Sequence, residues 1–266
     1  MSTVQNSLHN SQPDPATLHI AHDLNVADLK AAMAAGWRDF LAMPRFGLFF
    51  GGVYVVTGLL IGAIALIGQE LSWLIPATAG FPLIAPFVAV GLYEASRRRE
   101  RGEALTWGGV LGALKGHGDD QILSMGVIVF VAFGFWTIVA HAIFAIFMSE
   151  SGVSAHGGIA LLNALMTPAG LAMLGVGSAV GAIMAYAFYA ITVISLPMLV
   201  ERKVDFLTAI VTSLKVVKHN AAVMLIWAAI IAAVLFVALI PAFLGLLIAL
   251  PVLGHATWHL YRRAVR

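Results

Sequence analysis

All fifteen Lys and Arg residues of the chain fall in alternate gaps between long apolar runs, so a membrane threaded by those runs has every basic residue on one side. Lys30, Arg38 and Arg45 precede the first run, and Arg97, Arg98, Arg99, Arg101 and Lys115 follow the second. Arg202, Lys203, Lys215 and Lys218 follow the fourth, and Arg262, Arg263 and Arg266 come last. The intervening gaps hold Glu70 and Glu150 and no basic residue. Positive residues stay on the cytoplasmic side during insertion. The pattern therefore predicts an even number of spans, with both termini cytoplasmic.

The composition fits, at 61% apolar and 11% charged, against about 25% charged in a soluble domain. A hydrocarbon core takes about 20 apolar residues per helix, which predicts six transmembrane helices near 46–68, 76–96, 121–148, 168–199, 220–240 and 241–261. No polar loop separates the last two. Read as one helix, 220–261 would be about 60 Å long and would carry Arg262 and Arg263 outside. A tight hairpin at Pro241 to Gly245 removes both problems, since proline lacks the helix donor and glycine permits the turn. Residues 1–25 are polar, contain Pro13 and Pro15, and lack the apolar core of a signal peptide. They are expected to be a mobile cytoplasmic tail before a single integral membrane domain at 26–266. The chain has no cysteine, which excludes disulfides, thiolate metal sites and c-type haem attachment. The pI of 9.0 follows from the one-sided basic residues and does not point to nucleic acid.

A shift of 102 residues lays Glu103-Ala-Leu-Thr106 on Asp205-Phe-Leu-Thr208 and His117 on His219. A fainter copy starts at Asp28, where Ala35-Gly36-Trp37-Arg38-Asp39 resembles Lys115-Gly116-His117-Gly118-Asp119. Each copy has a short amphipathic segment (26–40, 103–116, 205–218) and then two spans, giving repeats of about 26–98, 103–199 and 205–263. In the third segment Phe206, Ile210, Leu214 and Val217 share a helical face. Such segments either lie in the headgroup layer beside anionic lipid or fold under the bundle. Each repeat holds two spans, so the copies run parallel, unlike inverted transporter repeats. The expected fold is all-α, three helical hairpins about a pseudo-threefold axis, each preceded by a short cytoplasmic amphipathic helix.

Ionisable groups inside a membrane are costly and are default functional candidates. His141 is the clear case. Glu94, beside Tyr93, lies one turn from Arg97 and Arg98 and reads as an interfacial ion pair or as part of a site. His255 and His259 share a helix face at i, i+4. They read as metal or haem ligands, or, with Trp258 and Tyr261, as an interfacial belt. His141 reads as a ring bonded to a facing carbonyl, or as a proton or metal group. Pro76, Pro82 and Pro86 predict a kinked outer half for the second span. The pairs Gly47/Gly51, Gly58/Gly62 and Gly177/Gly181 have the G-x-x-x-G spacing of closely packed helices. No nucleophile–base set, phosphate-binding loop or metalloprotease motif appears, so no catalytic residue, metal site or cofactor is expected.

Three stretches carry a resemblance. Residues 83–100 read LIAPFVAVGLYEASRRRE, 251–262 read PVLGHATWHLYR, and 36–40 read GWRDF. Together they resemble a family of predicted bacterial inner-membrane proteins named domain of unknown function 2189, over about 26–263. Tyr93-Glu94 and His255-x-x-x-His259 are the positions on which the likeness rests. Some members carry a label as cytochrome c oxidase subunit I-like. The resemblance thus implies a place beside a respiratory oxidase. One deep histidine cannot hold that oxidase's haems and copper.

The reading that follows is a non-catalytic inner-membrane protein that binds lipid and other membrane components, with a respiratory complex as a candidate partner in an accessory or assembly role. The alternatives are a small-solute transporter or channel, suggested by the proline-broken second span, and a haem or metal protein using His255 and His259.

Overall fold

A computed structural model describes residues 18–67, 89–113, 120–148 and 163–266. Among them the chain is helical, with one isolated antiparallel bridge joining Ile20 to Val265. The helices are α1 (Val26–Ala42), α2 (Pro44–Ile67), α3 (Val90–Glu100), α4 (Trp107–Gly112), α5 (Gln121–Met148), α6 (Pro168–Thr192), α7 (Ser195–Glu201), α8 (Phe206–His219), α9 (Ala221–Leu239) and α10 (Leu246–Ala264). Residues 1–17, Glu70, Pro76, Pro82, Pro86, Lys115, His117 and Glu150 lie outside the described residues, as does most of the expected span 76–96.

Local chemistry sets the helix ends. Asn25 caps α1 by accepting from the Ala27 and Asp28 amides, while Asp28 accepts from the Asn25 amide at 2.9 Å, a reciprocal capping box. The residue before a proline avoids the helical region, so α1 stops and α2 restarts with Pro44 in its first turn, where no donor is missed. Thr106, Thr167 and Asp205 cap α4, α6 and α8. Between α6 and α7 the helix breaks at Val193 and Ile194. Pro197 has no N–H to reach back to Val193, and Thr192 and Ser195 turn their hydroxyls onto the Phe188 and Ile191 carbonyls at 2.8 and 2.6 Å.

Among the described residues, four stretches are long and apolar enough to cross a membrane: Pro44–Ala63, Gln121–Met148, Pro168–Glu201 and Ala221–Leu239. The last helix does not reach that measure, because His255, Thr257, His259, Arg262 and Arg263 occupy its second half. Residues 220–261 are not one helix: α9 ends at Leu239 and α10 begins at Leu246. In the turn between them it is Ala242 (φ 49°) and Phe243 (φ 67°) that take the left-handed backbone. Gly245 is needed for a different reason, since a Cβ there would lie 2.6 Å from the Ala238 Cα.

The core is built around α10, which is buried along nearly its whole length. It packs on α1, α2, α3, α7 and α9. The run α1–α2 lies antiparallel to it. Arg263 pairs with Asp28, Gly36 presses on the backbone at Val252 and Ala256, Gly47 on Pro251, and Gly51 on Leu247. A Cβ at Gly36 would stand 2.5 Å from the Ala256 nitrogen. The short helices follow a cyclic order, with α1 against α10, α4 against α3, and α8 against α6 and α7, while α3, α7 and α10 touch one another.

Two elements differ from the sequence expectation. The buried face of α8 is Ala209, Thr212, Ser213, Val216 and Val217, and Leu214 is exposed. Small residues let α8 approach α6, where Ser213 donates to the Ala190 carbonyl at 2.7 Å and accepts from the Ile194 amide at 3.3 Å. Those are the backbone groups freed near the α6–α7 break. The repeat register also shifts: α4 starts at its cap Thr106, which the 102-residue offset would lay on Thr208, one turn inside α8.

Candidate functional site: a buried polar clamp

The last two turns of α1, all of α3 and the second half of α10 bring together the buried side chains Asp39, Glu94, Ser96 and His255. Asp39 is 2% exposed. Its Oδ2 accepts from Ser96 Oγ at 2.6 Å and from His259 Nε2 at 2.9 Å, and its Oδ1 pairs with the Arg99 guanidinium. Ser96 has a single proton, which it gives to Asp39. His255 Nδ1, 2.7 Å from the same oxygen, must therefore be the donor to it. The tautomer of His255 is set by this contact. Burial works against a charged Asp39, but the hydrogen bonds from His259 and Ser96 outweigh it and hold its carboxyl below the ordinary 3.8.

A second carboxylate group adjoins. Glu94, 4% exposed, accepts from Arg97 Nε and Nη2 at 2.6 and 2.7 Å and from Arg98 Nε at 2.6 Å. Glu103 approaches Arg97 at 3.4 Å. The Arg98 guanidinium lies so close over Gly109 that a Cβ there would meet its Cζ at 2.6 Å. Glu94, Arg97, Arg98 and Gly109 line a cleft of about 300 Å³ with Gly108, Gly112 and Val200. Its two arginines are balanced by two carboxylates, Glu94 and Glu103, so its walls do not present a free cation.

The third group ties α7 and α3 to α10. Tyr261 donates to Glu201, and Arg262 pairs with Glu201 at 2.6 Å and Glu100 at 3.2 Å. Trp258 Nε1 donates to Glu100 at 3.0 Å. Beyond it Arg263 pairs with Asp23 and Asp28, at 2.9 and 3.0 Å. Asn220 holds the segment before α1, accepting from the Leu24 amide at 3.2 Å and donating to the Ala21 carbonyl at 2.8 Å.

The candidates singled out in the sequence separate here. Glu94, His255 and His259 enter the clamp. His255 and His259 do not converge on one point: one ring is held by Ser96, the other by Asp39. Among the described residues no group of three His, Asp or Glu side chains is arranged to hold a metal ion. Tyr93 is buried at 2% beside the clamp. His141 sits apart on α5, stacked with Phe144 at 6.4 Å. Of the glycines, Gly181 faces the Trp136 ring and Gly177 the Ile143 side chain, Gly58 is buried, and Gly62 has nothing within 4 Å of its Cβ position. Asp39, Ser96, Arg99, Glu100 and Glu201 were not singled out. Asp39 and Ser96 did stand inside the stretches GWRDF and LIAPFVAVGLYEASRRRE, and the third stretch supplies both imidazoles. The described parts of the three stretches meet in space.

Residues 74–201 match the family of predicted integral membrane proteins named DUF2189. No curated protein and no solved structure matches the chain. The DUF2189 match takes in α3, α4, α5, α6 and α7, and so the Glu94 and Ser96 side of the clamp. It does not include Asp39 or the imidazoles of α10.

Chemically the clamp is closed. Ser96 and His255 have no exposed surface, so neither meets a solute. What the arrangement does is fasten α1, α3, α7 and α10 to one another through matched charges. Breaking one such buried match strands its partners and is costly.

Proposed function

We propose that this is a non-catalytic inner-membrane protein that binds other membrane components, with an accessory or assembly role beside a respiratory oxidase as the specific case. One observation carries the reading: the polar groups are turned inward while the α5–α6 hairpin turns apolar faces outward. Phe130, Val131, Phe135, Ile138 and Ile146 of α5 are each more than half exposed, as are Leu171 and Ile183 of α6. The far end of this hairpin packs on a small cluster of its own, Met148, Ala164 and Met173, apart from the main core. A hairpin that carries its own packing can leave the bundle's flank and offer two faces to lipid or to a partner's helices.

The architecture we propose is six spans in three parallel hairpins about a pseudo-threefold axis, with both termini cytoplasmic. The cyclic order of the short helices supports it, since each packs on the second helix of a neighbouring repeat. The turn between α9 and α10 supports an even number of crossings. Affinity purification in mild detergent tests the partner, and recovery of the chain alone would overturn it. A reporter fused after Arg266 should be active in the cytoplasm and one inserted at Gly152 outside. An external reporter after Arg266 would end the six-span reading.

A further inference from the structure

The groove between α1, α9 and α10 takes no part in the clamp. Met33 and Trp37 of α1, Val234 and Ala238 of α9 and Val252 of α10 line it, Pro241 stands at the turn, and it encloses about 360 Å³. Its lining is apolar throughout, save the indole N–H of Trp37. It opens beside α9, a helix long and apolar enough to cross a membrane, and Val237, Ile248 and Trp37 around it are 62%, 50% and 46% exposed. No hydrogen-bonding ligand is satisfied by such walls. A hydrocarbon chain is.

Two basic residues of α1 stand close in sequence to the groove's lining residues. Lys30 lies one turn before Met33, and Arg38 follows Trp37. Both are exposed, on the stripe of α1 that also shows Ala34 and Leu41. Neither has a carboxylate partner among the described residues, whereas Arg97, Arg98, Arg99, Arg262 and Arg263 all do. Unmatched cations on the helix whose tryptophan lines an apolar slot are the chemistry of an anionic headgroup at the membrane surface. We propose that the groove binds an acyl chain of an anionic phospholipid whose phosphate is held by Lys30 and Arg38. The inference does not depend on any protein partner.

The test is native mass spectrometry of the detergent-purified chain titrated with phosphatidylglycerol or phosphatidylcholine. Phosphatidylglycerol should be retained preferentially. Lys30→Ala should cut that preference about fivefold, the factor equal to roughly 1 kcal/mol per basic residue at an anionic surface. Val234→Trp, which fills the groove, should lower retention of both lipids, and Lys218→Ala should leave the preference unchanged. Equal retention of the two lipids, or a Val234→Trp protein that binds as the wild type does, would overturn the proposal. Phosphatidylglycerol bearing a diazirine in its acyl chain gives a measurement on the unaltered protein. Its label should map to 33–37 and 234–241, and labelling confined elsewhere would overturn the proposal equally.

Discussion

Asp39 and His259, 220 positions apart in the chain, are joined by a 2.9 Å hydrogen bond. The same carboxylate binds Ser96 and Arg99, so one side chain links three helices. Replacing Asp39 with alanine should destabilise the protein by about 1–3 kcal/mol, since it leaves buried hydrogen-bonding partners unmatched. Thermal unfolding in detergent measures it. A shift of less than about 0.5 kcal/mol, the range of an ordinary surface change, would mean that the clamp does not hold α1.

The same carboxylate sets an acid limit. Its folded-state value is held below the ordinary 3.8. Its contribution is therefore complete above 3.8 and is lost as the pH falls through the lower folded-state value. Asp23 and Asp205 are lowered too, so the comparison that isolates Asp39 is with Asp39→Asn. The stability gap between the two proteins should be constant from pH 7 to about 4 and should narrow below it. A gap that narrows already between pH 7 and 5 would assign the effect to another group.

Gly36 and Gly62 should respond in opposite directions to alanine. At Gly36 the new Cβ meets the α10 backbone, and overpacking of this kind costs about 1–3 kcal/mol. At Gly62 it meets nothing within 4 Å, and removing a glycine from a helix interior is worth up to about 1 kcal/mol. Melting temperatures of the two variants decide. Equal shifts would show that helix propensity, and not the α1–α10 contact, governs both sites.

The turn offers a separate measurement. Ala242 holds a φ of 49°, a conformation that costs a residue with a Cβ about 1–2 kcal/mol. Ala242→Gly should stabilise the protein by up to about 1 kcal/mol, part of the relief being offset by the greater freedom of glycine in the unfolded chain. Destabilisation would show that the turn has a different backbone.

The long apolar runs were legible because hydrophobic length is a property of consecutive residues. The helix expected at 121–148 appears as Gln121–Met148, and that expected at 220–240 as Ala221–Leu239. Half of the clamp was legible for the same reason: Glu94, His255 and His259 stand out against apolar neighbours. Asp39 did not, because it follows Arg38 in a short polar stretch where an acidic residue signals nothing. Its importance comes from Gly36, which brings α1 close enough to α10 to bury it. Ser96 was hidden by its type, since a helical serine ordinarily bonds back to its own turn. The small buried face of α8 was not legible, because the period of apolar residues cannot register that Ser213 is wanted at a broken helix. Pairings between helices far apart in sequence are set by packing, and a single sequence does not state them.

The Ile20–Val265 bridge ties the segment before α1 to the end of α10, and α10, the centre of the core, is made after every helix it packs on. At a synthesis rate of roughly 5–20 residues per second, α1 waits on the order of ten to forty-five seconds for the helix it packs on. During that interval Asp39 has neither imidazole, and Gly36 and Gly51 face no partner. The clamp therefore closes only once α10 has been made. A ribosome that stops before Leu246 leaves a membrane-inserted product in which Asp39 lacks its imidazole partner and the glycine seams stand open, a form that a protease surveying the bilayer can tell from one that has α10.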